Sequence, residues 1–265
     1  MKTIALTNVA SSAQPTTAMP LSSGAREAEK KKITEIALRA ADPGCGLRLG
    51  GSRALVLHGL TERVTDDIDL FAPPGQTGYQ QPVIEALKVA GYKVEANVSG
   101  SGATLIVSSP VGGVVDLEMA SSLPMQDAPV VLDGIPVMSA EDCVRLKYSA
   151  VCSTKPREKD LIDICGIFEK LGPDCLQQVG VNTLLLGGFF RSLKRVADVS
   201  DETLGEFGVA PDRADQIRQY LMGQSGRADE IEEQVLAQFS QTSRAVAKKH
   251  SWWACLLPCC KPQND

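Results

Sequence analysis

The chain has 265 residues, 43% of them hydrophobic, so it is long enough for one large domain or two small ones around a sizeable core. Its formal net charge of −5 argues against a protein that coats nucleic acid, because such proteins usually carry a basic face or stripe. Its apolar runs are shorter than the roughly 18–20 residues of a membrane span, and no secretion signal accompanies its eight scattered cysteines, so we expect no membrane contact and reduced thiols in the cytoplasm.

The two ends of the chain differ in composition from the rest. Residues 1–24 are rich in Ser, Thr, Ala and Pro, which predicts a flexible arm. Residues 251–265 form a Trp- and Cys-rich tail, which we expect to pack or to be disordered, with lipidation of its cysteines as the alternative. The role of this tail stays open on sequence alone.

The first predicted elements lead into a glycine turn. A helix is expected over residues 25–41 because its apolar residues recur on one face, and the Lys30-Lys31-Lys32 run within it is interpreted as a solvated helix end. Residues 46–49 follow as a short strand, which delivers the turn Gly50-Gly51-Ser52. Ser52 can cap the next helix, 53–59, and the N–H groups of such a turn suit a phosphate.

A second strand carries two carboxylates next to this turn. In the stretch DDIDLF, Asp67 and Asp69 alternate with Ile68, so both carboxylates lie on one face of the strand. Two fixed carboxylates suit Mg²⁺, which prefers oxygen ligands and usually keeps substrate phosphates in its coordination shell. The carboxylate pair and the glycine turn together predict a metal–nucleotide site.

These residues resemble the motifs of a known family. The Gly-Gly-Ser turn, followed by Arg63, Thr65 and the Asp67-Ile68-Asp69 run, is similar to the nucleotidyltransferase superfamily and, within it, to the AbiEii-type toxins. The motif of that branch reads roughly GG-T/S and then R-x-S-x-D-I-D-L-F, so Thr65 replaces the usual serine and keeps the hydroxyl. The resemblance implies an α/β (α+β) nucleotidyltransferase fold, with a mixed sheet flanked by helices and a helical domain after it. It also implies nucleotide-binding roles for Gly50, Gly51, Ser52, Arg63 and Thr65.

A third carboxylate is predicted on a later strand. After a predicted helix and hairpin, the strand 114–119 alternates, which leaves Asp116 and Glu118 on the face opposite its apolar residues. The superfamily has a carboxylate on the strand that follows such a hairpin, and Asp116 matches that position. By resemblance, Asp67, Asp69 and Asp116 form a metal triad with Glu118 at its rim; a half-exposed edge strand is the alternative.

The residues with candidate chemistry continue into a helical segment. A helix over residues 140–151 carries Lys147, and the next helix carries Lys159, Asp160 and Asp163. This block resembles the second half of the AbiEii-type motif, which reads K-l-x-A, a basic loop, and K-D-x-x-D. Asp160 and Asp163 are three residues apart, so they share one side of their helix. By resemblance, Lys147 contacts the triphosphate, Lys159 binds the nucleotide, and Asp160 orients the triphosphate or assists the incoming hydroxyl; a surface salt-bridge pattern is the alternative.

The chain is predicted to divide in two. Residues 25–138 are expected to form the nucleotidyltransferase domain, and residues 139–250 a helical domain that completes the site. Beyond residue 172 the resemblance thins, and the apolar pattern predicts a cap of helices over residues 175–186, 189–196, 212–222 and 228–249.

The sequence therefore predicts a Mg²⁺-dependent (or Mn²⁺-dependent) enzyme that moves a nucleoside monophosphate from an NTP to an acceptor hydroxyl and releases pyrophosphate. The resemblance implies a tRNA 3′ end as the acceptor and an antitoxin protein as a partner. Two alternatives stay open: a small-molecule nucleotidyltransferase of the antibiotic-modifying type, and a non-catalytic nucleotide-binding protein. The acceptor, the preferred NTP and the oligomeric state are not determined by the sequence.

Overall fold

The computed structural model describes residues 23–121, 125–153, 157–233 and 237. The predicted tail at 251–265 and residues 1–22 of the predicted arm lie outside these ranges. Within them, seven strands form one mixed sheet. In chain order the strands are β1 (Arg48–Leu49), β2 (Asp67–Phe71), β3 (Lys93–Ser99), β4 (Gly102–Ser108), β5 (Val114–Ala120), β6 (Val130–Leu132) and β7 (Ile135–Val137).

The sheet combines parallel and antiparallel pairs. Its strand order is β3-β4-β5-β2-β1-β7-β6. β2 pairs in parallel with β5, and β1 with β7, whereas β1 and β2 are antiparallel. β3, β4 and β5 form an antiparallel meander, and its first two strands confirm the predicted hairpin. β6 and β7 form a second hairpin.

One face of the sheet is apolar because the central strands alternate. Ile68 and Leu70 of β2 and Leu117 of β5 are fully buried. The acidic residues between them project from the other face, since successive side chains of a strand point to opposite sides. Burial of the apolar face fixes the strand register, and the register in turn positions the acidic residues.

Three helices belong to the same part of the chain as the sheet. They are α1 (Ser23–Ala40), α2 (Gly51–Leu57) and α3 (Gln80–Val89). α1 packs on α3 and contacts β7, while α3 contacts β3 and α2 contacts β2. The mixed sheet flanked by helices confirms the predicted fold class.

The rest of the described chain is helical. After β7 come α4 (Ala140–Val151), α5 (Glu158–Leu171), α6 (Cys175–Gln178), α7 (Thr183–Ser192), α8 (Asp201–Glu206), α9 (Pro211–Ser225) and a helical segment over 227–233. α4 has the predicted bounds, and the hydroxyl of Ser139 caps it by accepting a 3.1 Å hydrogen bond from the N–H of Asp142. None of the helices in the described ranges is long and apolar enough to cross a membrane.

The single helix predicted over residues 175–186 is wrong, because the structure has two helices there, α6 and α7, with a break in the helix between them. Gly180, just after α6, adopts a φ of +79°, a left-handed conformation that commonly ends helices. Beyond the break, rings from three helices join: Phe168 of α5 lies 6.0 Å from both Phe189 and Phe190 of α7, and Tyr148 of α4 lies 5.1 Å from Phe189. The predicted division into two domains at residues 138 and 139 stays a prediction.

Candidate active site

Four carboxylates share one face of the sheet near its centre. The parallel register of β2 and β5 sets Asp67 opposite Asp116 and Asp69 opposite Glu118. Paired strands lie about 4.8 Å apart, and residues in register point to the same side. Asp67 and Asp69 are half-buried, whereas Asp116 and Glu118 are exposed. The fold therefore places the three residues of the predicted metal triad on one face.

The glycine turn meets Asp69 at close range. The N–H of Gly50 donates a 2.8 Å hydrogen bond to the main-chain carbonyl of Asp69. α2 begins at Gly51, which has a φ of +61°, and a Cβ at this position would lie 1.8 Å from Asp69 Oδ2. A Cβ at Gly50 would lie 2.3 Å from Cδ2 of Phe71. Only glycine fits at either position, and the pair holds the first turn of α2 against the Asp69 carboxylate.

Ser52 does not cap α2, so that prediction is wrong. Gly50 occupies the cap position, and Ser52 lies in the first turn with its side chain buried. Its hydroxyl donates to Asp163 Oδ2 at 2.7 Å and accepts from Lys147 Nζ at 3.1 Å and from Arg63 Nη2. These long-range partners use the donor and acceptor capacity that a helix cap would need.

The contacts of Ser52 belong to a buried ion network. Lys147 Nζ lies 2.8 Å from Asp160 Oδ1 and 2.8 Å from Asp163 Oδ2, and Arg63 Nε lies 2.8 Å from Asp163 Oδ1. All four charged side chains are at most 7% exposed. Two cations and two anions pair inside the protein, so no net charge is left buried. The predicted position of Asp160 and Asp163 on one side of α5 is confirmed.

Mutual attraction keeps Lys147 and Asp163 ionised. Burial lowers the pKa of Lys147, but the charges of Asp163 and Asp160 outweigh burial, so this pKa lies above its ordinary value. Burial raises the pKa of Asp163, but the charges of Lys147 and Arg63 outweigh burial, so this pKa lies below its ordinary value. Both groups therefore carry their charge at neutral pH.

Arg63 and Thr65 are buried and engaged with protein partners. Arg63 Nη1 donates to the main-chain carbonyl of Val64 at 2.9 Å, in addition to its contacts in the network. The carbonyl of Thr65 accepts a hydrogen bond from Lys30 Nζ, which also lies 2.6 Å from Glu27 Oε1. The prediction of a solvated helix end is therefore wrong for Lys30, whose side chain is fully buried. These contacts hold the segment that leads into β2, and direct nucleotide binding by Arg63 and Thr65 stays a prediction.

Lys159, in the first turn of α5, is bound to Asp67. Its Nζ lies 2.6 Å from Asp67 Oδ2, and each side chain is 19% exposed. Burial raises the pKa of Asp67, but the hydrogen bond and charge of Lys159 outweigh burial, so this pKa lies below its ordinary value. At Asp69, burial and the nearby charge of Asp67 raise the pKa to about 6, although Lys147 and Lys159 partly offset the rise.

The carboxylates suit Mg²⁺ or Mn²⁺ held jointly with a triphosphate. Across the described part of the chain, no three Asp, Glu, His or Cys side chains are arranged to bind a metal by themselves. Mg²⁺ needs fewer protein ligands, because it is usually held by one or two carboxylates together with water and substrate phosphates. Asp67 and Asp69 supply two carboxylates beside the first turn of α2, and Asp116 lies in register with Asp67. These are the residues that could hold such an ion.

Asp163 is the residue of this region that sequence reasoning left out of the predicted site. Its carboxylate contacts three of the predicted residues, Ser52, Arg63 and Lys147. The available signal was its spacing from Asp160, which puts both carboxylates on the side of α5 that faces Lys147.

A mixed sheet whose central carboxylates face a glycine turn defines the class of protein: a nucleotidyltransferase fold. Among the solved structures that share it are two from Helicobacter pylori. JHP933 from Helicobacter pylori aligns with a TM-score of 0.53 at 18% identity, over 86% of this chain and 100% of that chain. A candidate nucleotidyltransferase from H. pylori aligns with a TM-score of 0.54 at 16% identity, over 82% of this chain and 99% of that chain. At these identities the likeness shows the fold alone.

The sequence profile described as Nucleotidyl transferase AbiEii toxin, Type IV TA system, matches residues 36–241. The chain therefore belongs to the AbiEii family of nucleotidyl transferase toxins, which confirms the resemblance seen in its motifs. The protein is a transferase of nucleotidyl groups. A comparison with curated proteins found no match.

Proposed function

We propose that the protein transfers a nucleoside monophosphate from an NTP to an acceptor hydroxyl in a reaction that needs Mg²⁺ or Mn²⁺. Membership of the AbiEii family supports nucleotidyl transfer. The observation that best supports the residue assignments is the register of β2 and β5. It sets Asp67 opposite Asp116 on the face where Asp69 meets Gly51.

The acidic residues are proposed to have two roles, metal binding and removal of a proton from the acceptor. Asp67 and Asp69 would hold the metal, which when bound supplies positive charge for the triphosphate and lowers the pKa of the acceptor hydroxyl. Asp116 is exposed beside Asp67 and would take the hydroxyl proton. The acceptor oxygen then bonds to the α-phosphorus, the bond from that phosphorus to the bridging oxygen breaks, and pyrophosphate leaves.

The glycine turn would bind the phosphates through its main chain. The first N–H groups of a helix have no partner within the helix, and its N-terminal end attracts anions. Gly51 and Ser52 place such groups beside Asp69, whereas the N–H of Gly50 is already bound to the Asp69 carbonyl and holds the turn in place. The hydroxyl of Ser52 is engaged with the buried network, so we assign its phosphate contact to the main-chain N–H.

Lys147 would act as a fixed positive charge. Its ammonium is close enough to Asp69 to offset part of the rise in the pKa of that carboxyl. Asp160 and Asp163 hold the ammonium in place. A charge that is already oriented stabilises the negative charge that develops on the phosphates without further rearrangement. Asp160 is nearly fully buried, so we assign it the positioning of Lys147.

A tRNA 3′ end is the proposed acceptor. The family is described as the toxin of type IV toxin–antitoxin systems, which supports an acceptor whose modification stops growth and an antitoxin protein as a partner. Because tRNA is used in the cytoplasm, we propose that the protein acts there.

A small-molecule acceptor is a second candidate, and the charge of the sheet face favours it. The register of the meander continues the face, with Ile106 of β4 between Asp116 of β5 and Glu95 of β3. Asp116 and Glu118 are exposed there, whereas the exposed Glu95 is paired with Lys93 at 2.9 Å. Negative charge beside the reacting centre repels a polyanion and attracts a cationic molecule.

One labelling experiment tests both candidates. The purified protein is incubated with Mg²⁺ and each of the four α-labelled NTPs, with total RNA in one set and a panel of cationic antibiotics in the other, beside an Asp67→Ala variant. Label that migrates with tRNA and disappears in Asp67→Ala supports the tRNA acceptor, and label on an antibiotic supports the second candidate. Label that survives in Asp67→Ala contradicts the assigned metal site. Pyrophosphate release distinguishes transfer from the non-catalytic nucleotide binding that family membership already disfavours.

A further inference from the structure

Lys159 places a positive charge directly on Asp67. Its ammonium lies 2.6 Å from Asp67 Oδ2, so it occupies one of the oxygens assigned to the metal. Asp69 and Asp116 lie on the same face, and a group of carboxylates this close together requires a counter-charge. Lys159 supplies part of that counter-charge, in direct contact with Asp67.

The ammonium can leave Asp67 without any movement of α5. Lys159 is the second residue of α5, and the next residue, Asp160, is anchored by Lys147 at 2.8 Å. The backbone at this point is therefore held in place, whereas the ammonium is carried on a flexible four-carbon stem. The ion pair lies at the edge of the site, where part of each side chain is exposed.

A divalent ion and this ammonium compete for one carboxylate. Mg²⁺ binds carboxylate oxygens at about 2.1 Å, so an ion on Asp67 Oδ2 would be next to Nζ, which lies 2.6 Å from the same oxygen. Two cations bound to the same carboxylate oxygen repel each other strongly in a partly buried site. A triphosphate on the same face would offer the displaced ammonium new anionic partners.

We propose that Lys159 is an exchangeable counterion, which holds Asp67 in the resting enzyme, releases it to the metal, and moves onto the triphosphate. This inference rests on the proposed function and specifies how its metal site is loaded. When metal binds alone, the displaced ammonium of Lys159 has no new anionic partner. When metal binds together with NTP, the triphosphate becomes that partner. Binding of metal and nucleotide is therefore coupled, and Lys159 contributes to the coupling.

The Lys159→Gln variant tests the exchange by direct binding. Mn²⁺ is titrated without nucleotide and followed by the electron paramagnetic resonance of the free ion; a non-hydrolysable NTP analogue is then titrated in saturating Mn²⁺. Loss of the competing ammonium is expected to tighten Mn²⁺ binding about fivefold. Loss of the phosphate contact is expected to weaken binding of the analogue about tenfold. A side chain with only a structural role would not shift the two affinities in opposite directions.

Two variants serve as controls. Lys170→Gln removes a lysine at the other end of α5, where the side chain is half-exposed and lies 3.7 Å from Glu62, so both affinities should stay at the wild-type value. Lys159→Arg keeps the positive charge, so its Mn²⁺ affinity should stay near the wild-type value. Thermal unfolding of each variant checks that the fold is retained.

Unchanged or weaker Mn²⁺ binding by Lys159→Gln would overturn the exchange. Tighter Mn²⁺ binding with unchanged affinity for the analogue would overturn the move onto the triphosphate. Asp67→Ala separates this inference from the proposed function. If Asp67→Ala binds Mn²⁺ as the wild type does, the metal site itself is wrongly assigned, whatever Lys159 does. If Asp67→Ala loses Mn²⁺ while Lys159→Gln is unchanged, only the role of Lys159 fails.

Discussion

Gly51 is constrained both by its backbone and by its surroundings. Its φ of +61° lies in the left-handed region, and the Asp69 carboxylate occupies the space that a Cβ would need. The left-handed conformation alone costs an ordinary residue about 1–2 kcal/mol. The close contact adds a second penalty, because Asp69 would have to leave the position that puts it beside the turn.

Gly51→Ala is expected to lower the free energy of unfolding by about 2–4 kcal/mol and to remove most transferase activity. Gly59→Ala is the matched control, because Gly59 has a φ of +68° but no atom within 4 Å of its Cβ position. It should cost only about 1 kcal/mol and leave activity intact. Urea denaturation and label transfer measure the two effects. Equal loss of activity in both variants would contradict the steric role of Gly51.

Asp163 is expected to stabilise the protein in a pH-dependent way. Asp163→Asn leaves Lys147 and Arg63 without their shared anion, which should cost about 3–5 kcal/mol near neutral pH. The pKa of Asp163 in the folded state lies below its ordinary value of 3.8, so its contribution is present above that value and is lost as the pH falls through the folded-state pKa. The difference between wild type and variant should therefore narrow below about pH 4.

Chemical denaturation from neutral pH down to about pH 3 measures this difference. Asp174→Asn is the control, because Asp174 is exposed and pairs with Arg227 at 2.6 Å on the surface. It should cost less than about 1 kcal/mol at any pH in this range. A wild-type advantage over Asp163→Asn that is independent of pH would show that the charge of Asp163 is not what stabilises the network.

At the scale of whole elements, α5 serves the site and the core together. Its first turn presents Lys159 and Asp160, and Asp163 follows one turn later. Farther along, Gly166 lets the helix approach the segment after α2 so closely that a Cβ would lie 2.4 Å from the carbonyl oxygen of Leu60. This approach sets the distance between α5 and Arg63, which belongs to the same segment.

Glycine-to-alanine substitutions in two helices should change the free energy of unfolding in opposite directions. Alanine normally stabilises a helix interior by up to about 1 kcal/mol relative to glycine, and Gly223→Ala in α9 should do so because no atom lies within 4 Å of its Cβ position. Gly166→Ala should instead destabilise by about 1–3 kcal/mol, because main-chain atoms block the added methyl group. Urea denaturation of both variants checks the prediction. Stabilisation by Gly166→Ala would show that α5 can move away from Leu60 without cost.

At the scale of the whole molecule, the buried network joins distant parts of the chain. The hydroxyl of Ser52 in α2 contacts Lys147 of α4 and Asp163 of α5, which are 95 and 111 residues away in sequence. The helices after the sheet therefore supply charges that hold the turn beside Asp69. Of these helices, α4 also packs directly against α2.

A double-mutant cycle measures this connection. Ser52→Ala alone should cost about 1–3 kcal/mol, because it leaves buried donors without their acceptor. Combined with Asp163→Asn, it should show a coupling energy of about 1–2 kcal/mol, since the two groups contact each other. The same serine variant combined with Asp174→Asn should be additive. Additivity in the first pair would mean that the hydroxyl and the carboxylate act independently.

Local rules predicted much of the fold. Alternation placed the acidic residues of β2 and β5 on one face, and capping by Ser139 gave α4 its observed bounds. The helix predicted over residues 175–186 fails for a local reason, the left-handed Gly180, whereas two other errors fall where a distant partner overrides the local signal. The sequence predicts a solvated Lys30, but its ammonium is buried and donates hydrogen bonds to the distant Thr65 carbonyl and to Glu27. Ser52 looked like a cap, but three charged side chains engage its hydroxyl.

The sequence by itself determined the family, the mixed α/β fold and the residue types of the candidate site, because motif spacing and strand alternation are local properties of the chain. Only the tertiary structure decided which charges meet. Asp67 faces Asp116 through strand register, and Lys159 reaches Asp67 across 92 residues of sequence. Burial and the resulting pKa values followed from those encounters. The physical reason is that burial and charge pairing depend on atoms from remote parts of the chain, and only the folded chain brings those atoms together.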